Sequence, residues 1–115
     1  MKFMMQIFQG EALEAWTRLS EEEQQGVAAG YAAVNETPGV TPGEWIAPPT
    51  AATTVRVLDG ATVTTDGPFA ETKEALGGYF LFECDDLEAA IQLAAKVPAV
   101  RFGGAVEVRP LVQHG

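Results

Sequence analysis

The stretch Asp66-Gly67-Pro68-Phe69-Ala70-Glu71-Thr72-Lys73-Glu74 gathers three acids and one lysine within nine residues, and Leu76-Gly77-Gly78-Tyr79 follows it. A carboxylate beside a lysine can do general acid–base work. Asp66 is then the catalytic candidate, with Glu71, Lys73 and Tyr79 lining a ligand pocket. Arg109, next to Glu107 in the closing Val-Glu-Val-Arg run, is a further pocket candidate. The same residues admit a plainer reading. Asp66 can accept hydrogen bonds from the following backbone N–H groups as an Asx-turn, joining two strands while Glu71, Lys73 and Glu74 stay solvated.

Other reactive residue types are sparse. Cys84 is the sole cysteine, so no intramolecular disulfide forms, and its apolar neighbours mark it as a small hydrophobe instead of a nucleophile. The sole histidine, His114, is one residue from the end of the sequence and reads as a surface residue. There is no His/Cys cluster for zinc or a redox metal, and Asp85-Asp86 reads as a helix cap. No Gly-x-Gly-x-x-Gly, Walker-type or Gly-x-Ser-x-Gly motif occurs, so no cofactor is expected.

The elements that must position these residues follow from periodicity. Residues 2–8 alternate as a strand, with Phe3, Met5 and Ile7 on one face and Met4, Gln6 and Phe8 on the other. Leu13 and Trp16 fit a short helical turn. Ser20-Glu21-Glu22-Glu23 is a capping box that opens a helix running to about Glu36, with Val27, Tyr31 and Val34 on one face. Gly26 and Gly30 suggest close packing of that helix against a sheet. Pro38, Gly39, Pro42 and Gly43 predict a loop, with Glu44-Trp45-Ile46 as a short strand piece.

Residues 53–58 and 61–65 are β-branched runs joined by Asp59-Gly60, the strongest hairpin signal in the chain. Leu76 to Cys84 is a strand apolar on both faces. Asp85 or Asp86 caps a second helix with a Leu87, Ala90, Ile91, Ala94 stripe, ended by Pro98, and Ala105 to Val112 is the last strand. This order predicts an α+β fold: a ferredoxin-like βαββαβ antiparallel sheet with two helices on one face and an inserted element.

Composition narrows the function classes. The chain has 115 residues, suited to one domain, and its 47% apolar content is too high for a disordered acidic tail. Seven Lys+Arg against sixteen Asp+Glu give a net charge of −9, which argues against nucleic-acid and anionic-membrane partners. Six glutamates and one arginine fall in residues 11–36, so much of the acidity belongs to a solvated helical face. With no run of the length a membrane span needs, a cytoplasmic protein is the expectation. Two helices cover one sheet face, yet residues 2–8 and 76–84 carry large apolar side chains on both. A second copy packed sheet to sheet would cover the other face, so a two-fold homodimer is expected.

The Asp66–Glu74 stretch resembles the signature of the DGPF proteins in the YCII-related family. The frame around it is similar too: the opening Lys2–Phe8 strand, Pro48-Pro49, Thr53-Thr54-Val55-Arg56, Leu76-Gly77-Gly78-Tyr79 and Val106-Glu107-Val108-Arg109-Pro110. The resemblance covers nearly the whole chain and implies a dimeric α+β barrel of the ferredoxin-like type. Some relatives carry a His–Asp pair; here Asp66 could take the carboxylate role, but no histidine lies in the body of the chain. DGPF proteins are often encoded beside extracytoplasmic-function sigma factors, which implies a regulatory setting. Three readings stand together: a dimer binding a small organic ligand near Asp66, a regulatory or interaction module, and a DGPF segment that serves only the fold.

Overall fold

In the computed structural model, which describes residues 1–67 and 75–112, the chain starts with β1 (Lys2–Phe8), whose residues alternate half-buried and buried. Two helices follow, α1 (Ala12–Arg18) and α2 (Glu21–Glu36). The capping box forms as read: the Glu23 N–H donates to Ser20 Oγ at 3.1 Å and the Ser20 N–H donates to Glu23 Oε1 at 3.0 Å. Those bonds satisfy two of the backbone donors that a helix start leaves without partners.

β2 (Val40–Trp45) replaces the predicted loop. It is an edge strand, where Pro42 can sit without removing a ladder donor that a neighbour needs. β3 (Thr53–Leu58) and β4 (Ala61–Asp66) form the expected hairpin, with Asp59 at φ 50° and Gly60 at φ 79°. Positive φ at both turn residues matches the twist of the flanking strands, which explains the Asp-Gly pair. β5 (Leu76–Glu83), α3 (Leu87–Ala94) and β6 (Ala105–Pro110) complete the order, and single 3₁₀ turns lie at Pro49–Ala51 and Pro98–Phe102.

The main sheet has the order β2-β5-β1-β6, and β5 runs antiparallel to both β1 and β2. This is the ferredoxin-like α+β arrangement. β3 and β4 pair only with each other, as a separate two-stranded sheet. Phe3, Met5, Ile7, Phe80 and Phe82 pack under the helices with Val34, Ala90, Leu93 and Val97.

Two local readings change. α3 buries Ala90 and Ala94 as expected but adds Leu93 and exposes Leu87 and Ile91, so its buried stripe is turned partly around the helix from the expected one. The helix also ends at Ala94, and Pro98 starts the following 3₁₀ turn instead of stopping α3. The Asp86 carboxylate accepts from the Ala89 N–H at 2.9 Å, so the helix start is as read. Gly30 is a close approach, but to that 3₁₀ turn and not to the sheet: a Cβ there would lie 2.9 Å from Pro98 Cγ. Gly26 faces open space, and nothing in the structure explains it.

Candidate functional site

Among the described residues, Asp66, Tyr79 and Arg109 do not converge. Asp66 is the last residue of β4, opposite Thr53, and is exposed. The chain beyond it is held by backbone and hydroxyl groups: Gly67 N–H donates to the Ala52 carbonyl and Thr54 Oγ1 donates to the Gly67 carbonyl, each at 2.7 Å. Glu71 and Lys73 lie outside the described residues, as does His114. Tyr79 sits on β5 opposite Gln6 and lines a small recess of about 60 Å³ with Gly43, Glu44 and Trp45. Arg109 lies opposite Met4 on β6, and its Nε donates to Glu107 Oε1 at 3.1 Å. Both partners of that pair are largely exposed, so water screens it and it contributes little.

Register assigns a common face to several of these residues. Paired residues on adjacent strands point the same way and alternate along the strand. Met4 with Leu81 and Arg109, and Gln6 with Tyr79 and Glu107, therefore lie on the side of the sheet away from Phe3, Met5, Phe80 and Phe82. Met4, Phe8, Tyr79 and Leu81 are half-buried on that open side. Sequence parity had already marked these strands as apolar on both faces.

A larger, half-open cavity lies on the other side, beside α1. A cavity of about 550 Å³ is walled by Leu13 and Trp16 of α1, Val27, Tyr31 and Asn35 of α2, Trp45 at the end of β2, and Phe102 of the second 3₁₀ turn. Gln9 closes one end. The spacing of Val27 and Tyr31 directs that stripe of α2 inward, and Trp45 meets it edge-on: the Tyr31 and Trp45 rings are 4.9 Å apart at 85°. α1 completes the wall from outside. Gln24 Nε2 donates to the Trp16 carbonyl at 3.0 Å, tying the helix to α2. Burial pushes the Tyr31 phenol above its ordinary value of 10.0, while a hydrogen bond from the Ala99 backbone pulls the other way. The phenol is therefore neutral at physiological pH and can donate to a ligand.

Among the described walls, the side chains with polar groups are the amides of Gln9 and Asn35, this phenol, and the indole N–H donors of Trp16 and Trp45. Asp66 and Arg109 are not among them, and Tyr79 belongs to the adjoining recess. Reasoning by reactive residue type missed this cavity because its walls are aromatic and amide, types that also build ordinary cores. The signal present in the sequence was that Trp16, Tyr31, Trp45 and Phe102 exceed what the sheet-side core needs. Among the described residues no three His, Cys, Asp or Glu side chains cluster as for a metal ion, and no helix is long and apolar enough to cross a membrane.

Comparison with known proteins places this geometry in context. Residues 1–114 match the family model of the YCII-related domain. The chain is also similar to an uncharacterized protein of Rhizobium meliloti (strain 1021), with 40% identity over 105 residues, covering 87% of this chain and 82% of the relative.

Proposed function

The chain belongs to the YCII-related domain family, and from that premise we propose that it acts as a homodimer binding a small organic molecule in the cavity between α1 and α2. The observation that carries this reading is the cavity of about 550 Å³ with aromatic walls and a few amide and phenol groups. Its volume falls within the roughly 300–1,000 Å³ of small-molecule sites, which pair apolar walls with a few orienting polar groups. The ligand class that fits is flat, mostly apolar and uncharged, with a hydrogen-bond acceptor for the Tyr31 hydroxyl.

The described walls offer amides and a neutral phenol where general acid–base chemistry would use a carboxylate or imidazole. The reading is therefore one of binding, and Asp66 stands outside it. The homodimer rests on the open face of the sheet. Met4, Phe8, Tyr79 and Leu81 form an apolar surface there, flanked by Gln6, Glu107 and Arg109. A second copy laid sheet to sheet would cover it under two-fold symmetry.

The uncharged fluorescent probe N-phenylnaphthylamine tests the cavity. The expected result is saturable binding, with about one probe per chain, that Trp16→Ala weakens roughly tenfold through loss of one stacking wall, or about 1.4 kcal/mol. Binding that ignores Trp16→Ala, or that never saturates, overturns the assignment. Sedimentation velocity at micromolar concentration tests the dimer, and a monomeric mass overturns it.

A further inference from the structure

Hairpin β3–β4 presents a surface that the rest of the described chain leaves uncovered. Its register puts Val55 opposite Thr64 and Val57 opposite Thr62, four β-branched residues on one face. Val55 is 61% exposed and Val57 67%. Residues of this kind favour strands because they pack well on a covered, pleated surface. An isolated two-stranded hairpin is marginal in water, and a third strand or a packed layer is what makes such a unit stable. Among the described residues, β3 and β4 have no third strand.

Whatever covers this face must be present whenever the protein is folded, which points to another copy of the same chain. Shape agrees. The radius of gyration is 16.3 Å and the extents are 50 × 44 × 18 Å, whereas a compact chain of this length has a radius near 13 Å. The molecule is thus a thin slab with an arm, a form that a second slab would thicken to ordinary proportions. The open face of the four-stranded sheet spans roughly 400 Å² in projection, from strands about 4.8 Å apart and about 20 Å long. Stable pairs bury roughly 800 Å² per partner, so the sheet contact leaves room for a second contact surface. Charge also agrees. A chain of net charge −9 meets itself most easily where acids are few, and Val55, Val57, Thr62 and Thr64 are uncharged, with Asp66 on the same face at the foot of the hairpin.

We propose that this face of β3–β4 is an arm that packs onto a second copy of the chain, adding to the sheet-to-sheet contact. The proposal rests on the homodimer reading and assigns a second surface to it. Hydrogen exchange on the full chain across a dilution series, read beside sedimentation velocity, tests it. The expected result is that amides 53–66 are protected in the dimer and lose that protection on dilution to monomer, while α2 amides keep theirs. Val57→Glu is expected to weaken self-association at least tenfold and to release the hairpin amides. Leu81→Glu, on the open sheet face, is expected to weaken association as well.

The outcomes separate the two surfaces. A dimer that yields to Leu81→Glu but not to Val57→Glu overturns the arm and leaves the sheet contact standing. The reverse pattern upholds the arm and overturns the sheet contact. A chain monomeric throughout overturns both. Hairpin amides protected in the monomer, or protected only after a different protein is added, overturn the arm alone.

Discussion

The cavity beside α2 and the foot of the hairpin at Asp66 divide between them what a binding site needs. The first has concave aromatic walls: both tryptophans of the chain, Trp16 and Trp45, line it, with amides, a phenol and the two indole N–H groups as the polar groups among its described walls. The second has charge without enclosure, since Asp66 stands exposed at the end of β4. Among the described residues, the carboxylate singled out by type stands at one place and the cavity lies at another. The cavity arises because α2 turns Val27, Tyr31 and Asn35 toward the aromatic residues of the chain segments beside it, which requires no carboxylate or imidazole.

The same substitution made in both regions should give the largest contrast. Val34 is buried beneath the helices, whereas Val57 stands in the open on the hairpin. Val34→Asp places an unpaired carboxylate in the core and is expected to cost at least about 3 kcal/mol in urea denaturation. Val57→Asp, measured at concentrations where the chain is monomeric, is expected to cost under about 0.5 kcal/mol. Equal losses would mean that the hairpin is part of the same cooperative unit as the sheet.

A second contrast concerns the two candidate sites directly. Asp66→Ala is expected to leave N-phenylnaphthylamine affinity within about twofold of wild type, well inside the roughly tenfold loss expected for Trp16→Ala. A loss of tenfold or more on Asp66→Ala would bring the hairpin foot into the site and break the division.

The smallest expected effect sharpens the helix that carries the cavity wall. Ser20→Ala is expected to lower stability by about 1 kcal/mol at neutral pH, read by urea denaturation. The pH dependence has a definite sign. Hydrogen bonds from the Ser20 backbone and, secondarily, its side chain hold the Glu23 carboxyl below its ordinary value of 4.5. A depressed carboxyl stabilises the fold above its unfolded value, and the contribution is lost as pH falls through the folded value. Ser20→Ala keeps the backbone N–H that is the larger cause, so the pH test is Glu23→Gln, whose stability gap from wild type should narrow as pH falls below the glutamate range. A gap that is constant with pH would mean that the Glu23 carboxylate contributes nothing by its charge to the cap.

Several of these features were legible in the residues themselves. The Ser20–Glu23 box, the Asp86 cap and the Asp59-Gly60 turn are local devices, each satisfied within a few residues, and each forms as read. The ferredoxin-like order and the apolar character of both sheet faces followed from parity in β1 and β5. β2 was obscured because Pro42 and Gly43 signal a loop unless the strand is known to lie at an edge, which is a tertiary fact. The α3 stripe was read as Leu87, Ala90, Ile91 and Ala94, of which Ala90 and Ala94 are buried. The chain beyond the helix decides it, since Val97 and Pro98 turn into the core and extend the Ala90, Leu93, Ala94 series. The cavity left no local signature, because its walls come from five separate segments.

α1 carries a consequence of its own. It has no buried residue, and among the described residues its side-chain tie to α2 is the Gln24 bond to the Trp16 carbonyl. A bond of that kind contributes about 1 kcal/mol, so α1 is held chiefly by packing: Ala12 lies against the core, and Leu13 and Trp16 share the cavity wall with α2 and the second 3₁₀ turn. The cavity they line is already half open to solvent, so a molecule can reach it without any movement of α1.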